Sequence, residues 1–278
     1  MKEKLLHIKE LLSYSAEQLR EVTDIPQKEA MILLAHVLGC ETSWILIHSH
    51  DEIKPDEHFF ELLKRRVSHE PLEYILGKAS FYGKEFNVDS RVLIPRPETE
   101  ILVDKAVELA RELPQNAHIV EIGCGSGIIS IMLSLLLPEA KLTAVDISMD
   151  ALNVSKQNAQ KHGVDKNITF IESSYLDNVE GNIDMIVSNP PYIANDESLG
   201  IGLSYEPSLA LYGGSRGDEM LCHIVDLFQE RKAKALACEM GYDQREPMRL
   251  YAQSKGLEIE FYKDLASLDR GFWIKEKK

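Results

Sequence analysis

The stretch Ile186-Val187-Ser188-Asn189-Pro190-Pro191-Tyr192 concentrates residue types that can do chemistry. An apolar run ends in a polar amide, two prolines and an aromatic ring, the pattern of a buried strand stopped at a site. Each proline lacks an N–H and pushes the residue before it out of the helical region, so Asn189 and Pro190 are both expected to be extended. The Asn189 side-chain amide and the Pro190 carbonyl then stand as fixed acceptors with few local donors competing for them. Such a pair can grip the two hydrogens of an –NH2 group while Tyr192 covers its flat face. This makes Asn189, Pro190 and Tyr192 the candidate catalytic residues, and Asn189 to Tyr192, Pro191 included, the candidate substrate contacts. The plainer alternative is a strand end followed by a Pro-rich turn with a packed tyrosine.

A second apolar run ends in Glu121-Ile122-Gly123-Cys124-Gly125-Ser126-Gly127, with a helix expected at once. Alternating glycines let the backbone turn tightly and approach a ligand closely. Twenty-three residues beyond Gly123, the next strand ends in Asp146, well placed to accept hydrogen bonds from a ribose diol. A dinucleotide loop would read G-x-G-x-x-G, but here the third glycine comes one position early. An acid two residues before the first glycine suits S-adenosylmethionine, which has no phosphate and carries a cationic sulfonium and ammonium. Gly123 to Gly127, Glu121 and Asp146 are therefore candidate cofactor contacts. Tyr175, after a third strand, either lies against adenine or packs as a rim aromatic. No metal site is expected: Cys40, Cys124, Cys222 and Cys238 are scattered without C-x-x-C spacing, and no two histidines stand at metalloprotease spacing.

The elements that must hold these residues follow from periodicity. Residues 1 to about 76 show no convincing strand. Ile8, Leu11 and Leu12, then Ala30, Leu33, Leu34, Val37 and Leu38, recur at helical intervals. Pro26 and Gly39 bracket one helix, and another is expected from Asp56 to Ser68, so a domain of four or five helices is predicted. Its basic Lys64-Arg65-Arg66 suits a helix C-terminus or touches a partner. Phe81 to Val88 and Arg91 to Ile94 read as two strands of a hairpin turning at Asp89-Ser90. Arg96 to Glu100 then forms either a wall of the site or simply a helix start, with Leu102, Ala106 and Leu109 on one apolar face.

From 118 onward strands and helices alternate, which predicts an α/β, doubly wound sheet of seven strands near 118–122, 141–146, 168–172, 183–188, 234–239, 257–262 and 271–275. Helices are expected near 127–137, 148–162 and 218–232. Ligands of such sheets sit beyond the carboxyl ends of the strands. The boundaries expected are a helical domain at 1–76, a β-hairpin linker at 77–95 and a catalytic domain at 96–278.

The 278 residues suffice for one large or two ordinary domains, and 44% apolar residues can fill real cores. A net charge of −14 and a pI near 5.1 argue against broad neutralisation of nucleic-acid phosphates. No apolar run approaches the roughly 20 residues of a membrane span, and the amino terminus runs straight into amphipathic pattern. A cytoplasmic monomer, without membrane or direct nucleic-acid partners, is expected.

The order G-x-G-x-G, acidic second-strand end, N-P-P-Y resembles amino-methyltransferases that alkylate exocyclic amide or base nitrogens. More closely, the chain is similar to the protein-(glutamine-N5) methyltransferases of bacterial peptide chain release factors. The resemblance is carried by Arg65-Arg66, Glu70-Pro71-Leu72-Glu73-Tyr74, Phe81-Tyr82-Gly83, Ile94-Pro95-Arg96-Pro97-Glu98-Thr99-Glu100 and Ile186 to Ile193. Later it includes Glu206-Pro207, Gly213-Gly214, Gly241-Tyr242-Asp243-Gln244 and Asp269-Arg270. It implies a helical domain that helps to dock class 1 release factors and a Rossmann-like domain that methylates the glutamine of their Gly-Gly-Gln loop, yielding S-adenosylhomocysteine in translation termination. By position it places Gly123 to Gly127, Asp146, Tyr175 and Asn189 on the cofactor. The chain departs from the family pattern at Glu121 (commonly Asp), Ser174 (commonly acidic) and Tyr175 (frequently Trp). Two rivals stand beside this reading. An adenine-N6 methyltransferase is opposed by the net charge, and a silent adaptor by the intact Asn189-Pro190-Pro191-Tyr192.

Overall fold

A computed structural model describes residues 5–276, which fall into two compact units. The opening Met1-Lys2-Glu3-Lys4 lies outside the described residues. Among those described, no helix is long and apolar enough to cross a membrane.

The first unit takes the residues up to Gly77 and the short segment Gly200–Tyr205. Its elements are β1 (Leu6–His7), α1 (Ile8–Leu19), α2 (Pro26–Leu38), α3 (Thr42–Ile47), β2 (Glu52–Ile53), α4 (Glu57–Val67) and α5 (Leu72–Leu76). Five helices match the periodicity; the two-residue bridge of β1 with β2 is an addition to it. Pro26 opens α2, and Gly39 closes it in the left-handed conformation. Asp56 caps α4, its Oδ1 accepting from the His58 N–H at 2.9 Å. Two members of the basic triplet are paired within the unit: the exposed Arg65 with Glu70, and Arg66, turned inward, with the nearly buried Glu29 at 2.6 Å. The helices meet over Ile8, Leu11, Leu33, Phe59 and Leu62, where each large apolar side chain contributes about 1.5–3 kcal/mol. Tyr205, ending the 3-10 turn Ile201–Tyr205, donates its hydroxyl to the Ser68 carbonyl at 2.7 Å.

The second unit, Lys78–Leu199 and Glu206–Lys278, begins with an antiparallel hairpin of β3 (Lys78–Phe81) and β4 (Lys84–Asn87). Its turn is Tyr82-Gly83, both at positive φ, rather than Asp89-Ser90. The two-residue primed turn suits a hairpin's twist, so the apolar run beginning at Phe81 is broken by its own glycine. Arg91 to Ile94 forms no strand, and Asp89 instead folds back to accept from Arg91 N–H at 3.0 Å.

After α6 (Thr99–Ala110) the alternation follows the sequence expectation: β5 (His118–Ile122), α7 (Ile128–Leu136), β6 (Lys141–Asp146), α8 (Met149–Lys161), β7 (Ile168–Glu172) and β8 (Met185–Ser188). A small parallel pair, β9 (Ile193–Ala194) and β10 (Tyr212–Gly214), precedes α9 (Glu219–Glu230), β11 (Ala235–Glu239), α10 (Arg245–Ser254), β12 (Ile259–Lys263) and β13 (Asp269–Lys275). The helix α10 is missing from the sequence expectation because little marks it: only Met248 and Ala252 are buried, and Pro247 interrupts the run.

The seven main strands order as β12-β13-β11-β8-β5-β6-β7, with β13 antiparallel to both its neighbours and the rest parallel. Alternate residues of one strand feed opposite cores: Ile119 packs with α6 and α7, and Val120 with α9. Burial on both faces explains why these strands read as continuous apolar runs. Strand order reverses between β5 and β8, which opens a crevice beyond their carboxyl ends. The glycine loop and Asn189-Pro190-Pro191-Tyr192 follow those two strands.

Candidate active site

One cleft in the second unit is lined by both loops. Gly123, Cys124, Gly125, Ser126, Asp146, Tyr175, Asn189, Pro190 and Pro191 contribute to its walls, and so does Glu121. Gly127 and Tyr192 are absent from that lining. The space is about 1200 Å³, part of it open to solvent.

The loop after β5 presents mostly backbone. Gly123, Gly125 and Gly127 all have positive φ. At Gly127 a side chain would also run into Ser155 at 3.0–3.2 Å, so this glycine lets α8 close against the loop instead of touching the cleft. Asp146 holds the turn through both carboxylate oxygens, Oδ2 accepting from Gly125 N–H and Oδ1 from Ser148 N–H, each at 2.9 Å. Each oxygen keeps a lone pair for a ligand. Burial pushes this carboxyl above its ordinary range despite those bonds.

Glu121 is fully enclosed. Its Oε2 accepts from Ser130 N–H at 2.8 Å and from the Ser130 hydroxyl, while Oε1 has no partner. Burial pushes its carboxyl up to about 8, against the pull of the Ser130 bonds. An unpartnered buried acid costs the fold free energy, and a cationic ligand group would offset that cost. Tyr175 stands half-buried at positive φ, edge-on to His223 with centroids 4.4 Å apart, beside the exposed Ser174.

The loop after β8 presents the Asn189 side chain, and the residues on either side of it are tied down as well. Ser188 Oγ ties the strand to β5 through the Ile122 carbonyl at 2.7 Å. Asn189 Nδ2 donates to Thr99 Oγ1 at 3.1 Å, and Thr99 Oγ1 donates to Glu239 Oε2 at 2.7 Å. Tyr192 turns away from the cleft and donates its hydroxyl to Glu239 Oε1 at 3.4 Å. Burial raises the Glu239 carboxyl to about 7, with Glu98 reinforcing the shift and Arg270 opposing it.

Behind the loop, Gln244 donates to the Tyr192 carbonyl at 2.9 Å and accepts from Gly241 N–H at 2.8 Å. A side chain at Gly213 would collide with the Pro191 and Gly217 carbonyls and with Tyr192 Cα. Gly213, Gly241 and Gln244 thus act as the backing of this loop.

Arg96 and Thr99 do line the cleft, whereas Pro97, Glu98 and Glu100 do not. Arg96 pairs at 2.5 Å with Glu206, which also accepts from Ile94 N–H at 2.9 Å. This brings Pro207, Leu209 and Ala210 to the rim. Glu239, Thr99 as a hydroxyl donor and Ser130 are the residues that sequence reasoning missed. An acid ending the apolar strand β11 was the available signal for Glu239.

Comparison with known proteins shows the family. Residues 10–77 match a family model described as PrmC N-terminal domain, and residues 99–202 one described as methyltransferase small domain. A release factor glutamine methyltransferase of Chlorobaculum tepidum is 38% identical over 89% of this chain and 90% of its own length. A bifunctional methyltransferase of Rickettsia conorii is 35% identical over 95% of this chain, which spans only 56% of that longer relative. Among solved structures, the human METTL16 catalytic domain in complex with a MAT2A 3′UTR hairpin has a TM-score of 0.56 at 13% identity, covering 80% of this chain and 83% of its own, a likeness of fold.

Proposed function

The chain belongs to the release factor glutamine methyltransferases, and we propose that it methylates the side-chain nitrogen, N5, of the glutamine in the Gly-Gly-Gln motif of class 1 release factors. The observation that carries this reading is the meeting, in one cleft, of the Asn189 amide and a glycine loop backed by the unpartnered Glu121. S-adenosylmethionine, when bound, supplies a methyl group on a cationic sulfur. Glu121, Asp146, Tyr175 and the backbone of Gly123 to Ser126 would hold it, and the two acids favour its positive charge.

An amide nitrogen is a poor nucleophile because its lone pair is delocalised into the carbonyl. Asn189 Oδ1 and the Pro190 carbonyl each accept one hydrogen of the glutamine –NH2 and so fix the direction of that lone pair. Their hydrogen bonds strengthen as positive charge grows on nitrogen, which is where binding accelerates the reaction. Orienting the two reactants contributes on the order of 7 kcal/mol in favourable cases. The nitrogen gives up its proton after the C–N bond has formed, so no tuned base is required earlier. The helical unit serves to dock the release factor, and the enzyme works as a monomer.

Methyl transfer in vitro tests the reading. Label from the cofactor should enter a purified class 1 release factor and should not enter adenine-containing DNA supplied in equal amount. Cofactor binding without label in any release factor would contradict it.

A further inference from the structure

We propose that Thr99 and Glu239 are positioning residues that decide which end of the Asn189 side-chain amide faces the cleft. The inference rests on the reading that Asn189 accepts a hydrogen from an –NH2 substrate. An asparagine amide has nearly the same shape when its oxygen and nitrogen are exchanged, but its hydrogen bonding is reversed. With Oδ1 toward the cleft it accepts from an –NH2 group; with Nδ2 there it would meet the substrate donor to donor. Shape alone does not choose, so a neighbour of fixed polarity must.

Thr99 has that polarity. Its hydroxyl carries one hydrogen, and Glu239 Oε2 takes it at 2.7 Å. Once ionised, as it is above about pH 7, the Glu239 carboxylate only accepts, and it receives the Tyr192 hydroxyl on its other oxygen. Thr99 Oγ1 is left with lone pairs alone on its remaining side, where Asn189 Nδ2 lies 3.1 Å away. The amide nitrogen is therefore drawn toward Thr99, and Oδ1 is released to the substrate.

The placement of these residues has no other evident use. Thr99 is the first residue of α6, but the cap position is Glu98 and no side chain caps that helix. Thr99 and Glu239 are each 1% exposed, and an acid buried among Tyr192, Glu98 and Arg270 is a costly way to fill space. Three separate elements, α6, β8 and β11, are tied together at this one amide. Tyr192 belongs to the same relay, which accounts for its turning away from the cleft.

The test is a double-mutant cycle on the full chain with a release factor as substrate. Thr99→Val keeps the shape and removes the hydroxyl, and should lower kcat roughly 10-fold or more while leaving cofactor affinity and the release factor KM within about twofold. Thr99→Ser should restore kcat. In an Asn189→Ala background, Thr99→Val should change the residual rate by less than about twofold, since it acts only through that amide. Unchanged kcat in Thr99→Val, or an equal further loss in the Asn189→Ala background, overturns the inference.

Neutron diffraction from crystals of the unmodified protein held above about pH 7, where Glu239 is ionised, decides independently of folding defects and of substrate identity. Deuterium on Thr99 should point to Glu239, and the Asn189 ND2 group should point to Thr99. A Thr99 deuterium aimed at Asn189 overturns the inference even if methyl transfer is normal. Failure of the functional reading shows separately, as an unmodified chain that methylates no release factor.

Discussion

After β5 the cleft is lined chiefly by backbone, at glycines whose missing side chains let chain and ligand approach, with one unpartnered acid behind them. After β8 it is lined by one amide, braced by Thr99, Glu239 and the packing behind Gly213. The two loops flank the same point of strand reversal. A loop of backbone binds whatever fits it, in ground state and transition state alike. A braced side chain gains strength only as charge develops. Changes in the first region should therefore move cofactor affinity, and changes in the second should move turnover.

The sharpest way to break that contrast is Asn189→Ala. It should lower kcat roughly 100-fold or more and leave the cofactor dissociation constant, measured by calorimetry, nearly unchanged, whereas the cofactor contact that the family resemblance implies for Asn189 would make it rise. A large loss of cofactor affinity would merge the two regions into one. Next in size, Gly213→Ala should displace Pro191 and Tyr192, costing about 1–3 kcal/mol in stability and roughly tenfold in kcat, the order lost with a misplaced preorganised group. Thermal unfolding and steady-state rates check both parts, and cofactor affinity should again hold.

The smallest effect sharpens the other loop. The carboxyls of Glu121 and Glu239 are raised from 4.5 to about 8 and about 7 respectively. The folded chain therefore keeps these protons over a range where the unfolded chain has lost them, and stability falls as pH rises from 4.5 through about 8. Glu219, held down to about 2 by Ser215 and the Arg216 N–H, acts below that window. The unfolding temperature of the cofactor-free protein should thus decline between pH 6 and pH 8, values set by those carboxyls. Glu121→Gln should flatten the decline and weaken cofactor binding about tenfold, the order of one charge-assisted contact. An unchanged slope in that variant would remove Glu121 from the account of the first loop.

Much of this was legible in sequence because it is local. Asn189-Pro190-Pro191-Tyr192, Gly123 to Gly127 and Asp146 each follow a strand that its own apolar run declares, and the sheet's winding brings strand ends together. The bracing was not legible. Thr99 and Glu239 meet across 140 positions, and nothing in either neighbourhood names the other. Tyr192 reads as a cover for the substrate from its place in the motif, but its direction is set by Glu239, which is distant in sequence. The hairpin was misplaced for the opposite reason, since Tyr82-Gly83 is a local turn signal that lay within an apolar run. The helix α10 is amphipathic but strongly polar overall, and only Met248 and Ala252 are buried to mark it.

The most direct measurement is peptide mass analysis of a class 1 release factor after incubation with the protein and S-adenosylmethionine. One methyl group on the side-chain amide of the Gly-Gly-Gln glutamine is the predicted result, lost when the enzyme carries Asn189→Ala. A methyl group on any other residue, or one that persists undiminished in that variant, would contradict it.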